Sequence, residues 1–245
     1  MDIYSIFIAV RALLLVPLIT VLGSILGVIV SYFDNDGRFF HLRVVRPWAR
    51  AVLWLAGAHV TIYGQENANQ ENISCIVVMN HQSNLDIPLI VHSVPLQLKF
   101  IGKIELQRIP IFGTAVARSG HFFINRNDHQ AALEGIKAAG ESVREKGMSL
   151  VFAPEGTRSA DGRLLPFKKG AFVMAIETGL PILPVTIDGT TRRLPKGSLR
   201  ARAGPVKVTI HPMVSTKGLN YDDRDGLVEK VRKIIEKRLE DNVEC

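Results

Sequence analysis

Ile73-Ser74-Cys75-Ile76-Val77-Val78-Met79-Asn80-His81-Gln82-Ser83-Asn84-Leu85-Asp86 is the stretch that decides the architecture. Its first half is apolar and rich in β-branched residues, the pattern of a strand buried on both faces. The run stops at Asn80, and residues 80–86 are polar apart from Leu85. Ser83-Asn84 supplies turn chemistry, and Pro88 suits the first turn of a helix beginning near Ile87, where proline's missing N–H is not needed. Strand, polar turn and helix in that order open an α/β unit.

Working outward, short β-branched runs recur at residues 121–124, 149–152, 182–187 and 206–210, with helically spaced segments between them. A helix over 130–146 puts Leu133, Ile136, Ala139 and Val143 on one face and stops at Gly147. A second covers 169–178 and ends at Gly179, and a third over 225–240 aligns Leu227, Val231, Ile234, Ile235 and Leu239. The alternation predicts an α/β fold with a mixed, largely parallel central sheet flanked by helices.

The N-terminal part reads differently. Residues 12–33 carry no charge, and as a helix they extend about 33 Å, enough to cross a bilayer core. Only Arg11 precedes them as a basic residue and no small-x-small site follows, so the segment reads as a retained anchor rather than a signal peptide. Pro17 inside it predicts a kink and leaves open whether the helix spans the bilayer or dips into one leaflet. Arg38, Arg43, Arg46 and Arg50 follow it, which puts the rest of the chain on the cytoplasmic side. Residues 51–63, with Trp54 and Tyr63, are too short to span and read as an interfacial helix. A polar, Asn-rich stretch at 64–72 marks a linker. The expected organisation is membrane-anchoring helices over 1–63 and a catalytic domain over 64–245.

With 245 residues, 47% of them hydrophobic, and a mean hydropathy of +0.17, disordered and collagen-like classes are excluded. The net charge of +7 is concentrated in residues 99–207, which hold 18 Lys and Arg against 9 Asp and Glu. An anionic partner is implied: a phosphorylated small molecule, an anionic membrane or nucleic acid. Nucleic acid is the weakest of these, because no aromatic residues interleave the cations. Cys75 and Cys245 are far apart and show no metal-ligand spacing, so neither a disulfide framework nor a metal site is expected.

Each polar cluster follows the end of an expected strand: Asn80 to Asp86, then Asn125-Arg126, then Ala153 to Arg158. In open α/β sheets that edge binds ligands. On a continuous helix five residues rotate by about 500°, so His81 and Asp86 would face different ways and meet only across a turn. If they meet, the carboxylate fixes the imidazole tautomer and leaves the other nitrogen to take a proton from a hydroxyl; alternatively Asp86 merely caps the helix. Ser83 lies near His81, but no GxSxG elbow is present, so direct attack by a substrate hydroxyl fits better than an acyl-enzyme. Arg126 and Arg158 offer planar forks for phosphate oxygens. Glu155 is placed to orient a guanidinium or a substrate hydroxyl, and Gly156 lets the backbone approach closely. Lys103, Lys168 and Lys169 are further cations.

Four blocks now carry a resemblance: Asn80-His81-x4-Asp86, Gly120-x3-Ile124-x-Arg126, Phe152-x-Pro154-Glu155-Gly156-Thr157-Arg158-Ser159 and Leu183-Pro184-Val185-x-Ile187. In this order, with Pro166-Phe167-Lys168-x-Gly170 between the last two, the chain resembles the glycerolipid acyltransferases, above all the 1-acylglycerol-3-phosphate acyltransferases. Ala153 is a departure, standing where the family runs Phe-Pro-Glu-Gly directly. The resemblance implies transfer of an acyl chain from acyl-CoA or an acyl-carrier protein to the sn-2 hydroxyl of lysophosphatidate, giving phosphatidic acid. In it His81 is the general base and Asp86 holds the imidazole, without an acyl-enzyme. Arg126, Glu155, Gly156, Thr157, Arg158 and Lys103 hold the phosphate, while Pro184 and Val185 shape the acyl pocket. It further implies no tightly bound cofactor, membrane lipid as partner together with an acyl-carrier protein where that is the donor, no nucleic acid, and a bacterial inner membrane with the catalytic domain facing the cytoplasm. Two rivals stay open: a related acyltransferase with another acceptor, and a membrane-tethered module that only binds anions.

Overall fold

The computed structural model describes residues 3–69, 73–124 and 129–241. Its seven-stranded sheet comprises β1 (Ala58–Tyr63), β2 (Ile76–Met79), β3 (Leu98–Lys103), β4 (Phe122–Ile124), β5 (Ser149–Phe152), β6 (Ile182–Asp188) and β7 (Gly204–Ile210) in the order β1-β7-β6-β2-β5-β3-β4. Strands β6, β2, β5, β3 and β4 are parallel. β7 runs antiparallel to β6, and β1 parallel to β7. The helices are α1 (Ile3–Val30), α2 (Arg38–Phe40), α3 (Arg46–Leu55), α4 (Asp86–Ser93), α5 (Phe112–Arg118), α6 (His129–Glu145), α7 (Gly170–Thr178), α8 (Thr190–Arg193) and α9 (Arg224–Asp241). The mixed, mostly parallel sheet flanked by helices is the expected class.

All four residues of β2 are buried, and their alternation divides the core in two. Val77 and Met79 face a layer with Leu183, Val185, Ile187, Val206 and Val208 under Ala49 and Leu53 of α3 and Leu89 and Ile90 of α4. Ile76 and Val78 face Leu150 and Ile182 under Ala139 and Val143 of α6, Phe172 and Met174 of α7, and Leu227, Val231 and Ile235 of α9. The period of two sends successive side chains to opposite faces, and a parallel sheet is stable only with both faces covered. Each such fully buried aliphatic side chain contributes roughly 1.5–3 kcal/mol. Ile136, Ala139 and Val143 take the inward positions expected of α6; the Leu133 side chain lies outside the described residues.

Two strands depart from the sequence reading. The helix expected over 51–63 ends at Leu55, the chain turns through Gly57 at φ +68°, and Ala58–Tyr63 pairs with β7. Residues 58–63, grouped above with the anchoring helices, therefore belong to the sheet. Their strict inside-outside alternation is that of an edge strand, hidden in the sequence by the aromatics at either end. β3 was missed because Lys99 interrupts its apolar run. Lys99 is 1% exposed, and its ammonium donates to the Ser119 carbonyl at 2.6 Å and the Asp36 carbonyl at 3.1 Å.

α1 is a single 28-residue helix through Pro17, displaced towards the N-terminus relative to the expected 12–33, and long and apolar enough to cross a membrane. It is also docked on the rest of the chain. Ile8 and Ala12 bury against Val52, Ala56, Leu85 and Ala201, and the Trp48 indole donates to Thr20 Oγ1 at 3.0 Å. Arg11, the one charge in the helix, donates to the carbonyls of Leu55 and Trp54 and lies 4.4 Å from the Trp54 ring. It thereby caps the last carbonyls of α3, sharing that of Trp54 with the Gly57 amide.

Candidate active site

β2 lies between β5 and β6, so the turns leaving these three strands meet at the carboxyl edge of the sheet. The turn after β2 does what a helix could not: it brings His81 Nδ1 to 2.9 Å from Asp86 Oδ2. The same oxygen accepts the amides of Gln82 at 2.6 Å and Ser83 at 2.8 Å. Asp86 thus both folds the turn and holds the imidazole, and the two readings of its role coincide. A carboxylate oxygen can only accept, so the shared proton sits on Nδ1 and Nε2 keeps its lone pair. The Asp86 side chain is 0% exposed and that of His81 21%, leaving the imidazole open to a substrate while its partner is shielded.

Glu155 stands behind His81. Its Oε1 accepts the His81 amide at 2.6 Å and its Oε2 the Leu165 amide at 2.9 Å. At 5% exposure, with each oxygen accepting a backbone amide, it braces the His81 turn from behind. Burial raises its carboxyl above the usual range, and the two amides oppose that shift. The Ser159 amide completes the brace by donating to the His81 carbonyl at 2.8 Å. On the other flank Asn80 donates to the Ile187 carbonyl at 2.8 Å and accepts its amide at 2.7 Å, stapling β2 to β6. Gln82 donates to the Gly162 carbonyl and accepts the Thr191 hydroxyl, both at 3.0 Å. Sequence spacing gave no sign of these partners, because most are main-chain groups brought close only by the sheet order.

Ser83 is fully buried, and its hydroxyl donates to the Leu194 carbonyl at 2.7 Å. Its proton is engaged there, so it is not aligned with His81 as a nucleophile. Pro184 and Val185 are buried strand residues paired with Val78 and Met79. Val185 packs in the core beside Val77 and Leu183, and the strand pairing of both residues holds β6 against β2.

The cations divide. Gly156, at φ +69°, and Thr157 are exposed, and Arg158 is half-buried beside them. Two lysines bear on this turn. Lys196 donates to the Arg158 carbonyl at 2.7 Å and to Thr157 Oγ1 at 3.3 Å. Lys168 crosses Gly156 so closely that a Cβ there would stand 3.0 Å from its Nζ. Lys196 was missed by motif spacing; its only sequence signal is the density of cations after the fourth block. Lys169 instead pairs with Asp225 at 2.8 Å, away from the turn. Lys103 ends β3, next to β5, with its side chain exposed. Arg126 lies outside the described residues.

Residues 59–188 match the family model described as Acyltransferase. A 1-acyl-sn-glycerol-3-phosphate acyltransferase of Cocos nucifera is 37% identical over 185 residues, covering 76% of this chain and 59% of that one. One from Borreliella burgdorferi is 30% identical over 198 residues, covering 80% and 78%. The chain spans between about half and two thirds of the length of the plant relatives it matches. The crystal structure of the 1-acyl-sn-glycerophosphate (LPA) acyltransferase PlsC from Thermotoga maritima superposes with a TM-score of 0.82 at 29% identity, over 98% of this chain and 96% of that one. On its sequence and on its fold, the chain belongs to the acyltransferase family.

Proposed function

We propose that the protein transfers a fatty acyl chain from a thioester to the sn-2 hydroxyl of 1-acylglycerol 3-phosphate, forming phosphatidic acid. The observation that carries this reading is the imidazole of His81, held through Nδ1 by a buried carboxylate and open at Nε2, beside an exposed cationic turn. The acceptor hydroxyl gives its proton to Nε2 as its oxygen attacks the thioester carbonyl. A C–O bond forms and the C–S bond breaks; the proton then passes from His81 to the departing thiolate. The buried Ser83, engaged with Leu194, favours direct transfer over an acyl-enzyme.

The acceptor phosphate is taken by the Gly156-Thr157-Arg158 turn with Lys168 and Lys196, joined by Arg126 and Lys103 as the motif resemblance implies. The donor is acyl-CoA or an acyl-carrier protein, with no tightly bound cofactor and no nucleic-acid partner. α1 keeps the protein at the membrane that holds the lysophosphatidate. The arginines at 38, 43, 46 and 50, set against Arg11 alone, favour the cytoplasmic side, and the bacterial relatives favour an inner membrane.

An acceptor panel with a labelled acyl thioester tests the reading. Product should form with 1-acylglycerol 3-phosphate and fall sharply with 1-acylglycerol, which lacks the phosphate. Preference for glycerol 3-phosphate or for a lysophospholipid with a larger headgroup would overturn the acceptor assignment in favour of a different acyltransferase.

A further inference from the structure

Between β6 and β7 the chain runs through α8 and a loop, residues 190–203, that holds Arg192, Arg193, Lys196, Arg200 and Arg202 and no acidic residue. Three of these cations have a structural engagement. Arg192 pairs with Asp188 at 3.3 Å, Arg193 donates to the Ala203 carbonyl, and Lys196 rests on the Thr157-Arg158 turn. Arg200 and Arg202 are exposed and make no ion pair among the described residues. Between them and Lys196 stands Leu199, 72% exposed, the most exposed large apolar side chain beyond Tyr63 among the described residues.

The loop is a fixed strap. The Ser83 hydroxyl holds its Leu194 carbonyl, the Arg202 amide donates to the Arg193 carbonyl at 2.8 Å, and Ala201, 3% exposed, is buried against Ile8 and Ala12 of α1. Leu199 is therefore held two residues from α1, whose outward face presents Leu13, Leu14 and Leu18 uncovered. An exposed leucine followed by two exposed arginines, on a loop packed through Ala201 against an apolar helix, has the make-up of an interfacial element. The apolar side chain enters the acyl boundary while the arginines stay among the phosphates.

We propose that Leu199, Arg200 and Arg202 form a membrane-docking loop that inserts Leu199 into a bilayer and binds its anionic headgroups. It goes beyond the acyl-transfer reading and does not depend on it. Because the strap is tied to the His81 turn through Ser83 and Leu194, its insertion sets the carboxyl edge of the sheet against the bilayer surface.

The test places a polarity-sensitive fluorophore at Leu199→Cys in the 245-residue chain carrying Cys245→Ser; Cys75 is 0% exposed and escapes labelling. The protein is reconstituted into phosphatidylcholine vesicles with and without phosphatidylglycerol, using lipids brominated in the acyl chain as quenchers. Lys217→Cys, exposed on the loop beyond β7 at the opposite edge of the sheet, is the control. The expected result is a blue shift and strong quenching at position 199, greatest with phosphatidylglycerol, and neither effect at 217. Arg200→Gln with Arg202→Gln should bring quenching in anionic vesicles down to the neutral-vesicle level, with turnover of acceptor in detergent micelles unchanged. Absence of quenching at 199 would overturn the insertion, and equal quenching in neutral and anionic vesicles would overturn the anionic-headgroup assignment. The fluorescence readouts require no turnover, so failure of the acyl-transfer reading would leave this result standing or falling by itself.

Discussion

Two turns leave the same edge of the sheet and are built in opposite ways. The turn after β2 is buried and cross-braced: Asp86 Oδ2 takes two amides and the imidazole, Glu155 takes the His81 amide, and Asn80 spans to Ile187. The strap after β6 is exposed, basic and bound mainly at its ends. Proton transfer requires an imidazole held within a few tenths of an ångström and degrees of its working geometry, whereas holding an anionic surface requires charge and reach. The chain spends its buried polar contacts on the first task and its unpaired cations on the second.

Asp86→Asn is the strongest way to break the contrast. The amide retains an acceptor for the turn but no longer fixes the Nδ1–H tautomer, so kcat should fall by roughly 10²–10⁴ while the fold survives. Unchanged kcat with the fold intact by circular dichroism would mean that Asp86 serves the turn alone. Glu155→Gln comes next. Its NH2 would face one of two amide donors, so stability should drop by about 1–3 kcal/mol in denaturant unfolding. A rise in acceptor KM with unchanged stability would identify Glu155 as a phosphate ligand.

Acid should find its weak point away from both turns. His41, 3% exposed on the π-helical turn His41–Val45 between α2 and α3, is pushed down to about 3 by burial and by the neighbouring Arg46 and Lys99. The folded chain keeps it neutral while the unfolded chain takes up a proton below its ordinary range. Stability is therefore intact above pH 6.5 and declines as pH falls towards 3, by about 2 kcal/mol at pH 5 for this one group. Melting temperatures that stay flat over that interval would contradict a neutral buried His41. The smallest effect belongs to Ser83→Ala, which should cost about 1 kcal/mol of stability through the lost Leu194 contact and leave turnover nearly unchanged. Abolished turnover with an intact fold would revive a covalent intermediate.

The sheet class and the His81–Asp86 pair were legible because each has a local signature: β-branched runs followed by polar turns, and turn residues between two side chains that a helix would separate. The bracing contacts of Glu155 were not legible, because its partners are the amides of residues 81 and 165, which no spacing rule connects. β3 escaped because a buried lysine, satisfied by two carbonyls, breaks the apolar pattern. β1 escaped because only six alternating residues distinguish it from the helix before it. Lys196 was invisible as a site residue, and Lys168 could not be told from Lys169, since a lysine's role depends on where its flexible stem is laid down. Short-range geometry is written in neighbouring residues; the brace and the cation placement arise from strand order.

The central claim is that His81 takes the acceptor's proton, and acyl transfer from a labelled thioester to 1-acylglycerol 3-phosphate in detergent micelles, intact chain against His81→Ala, tests it most directly. The account predicts product from the intact chain and a loss of roughly 10²–10⁴ in rate for a variant that still folds. Equal rates from the two would contradict it and remove His81 as the base.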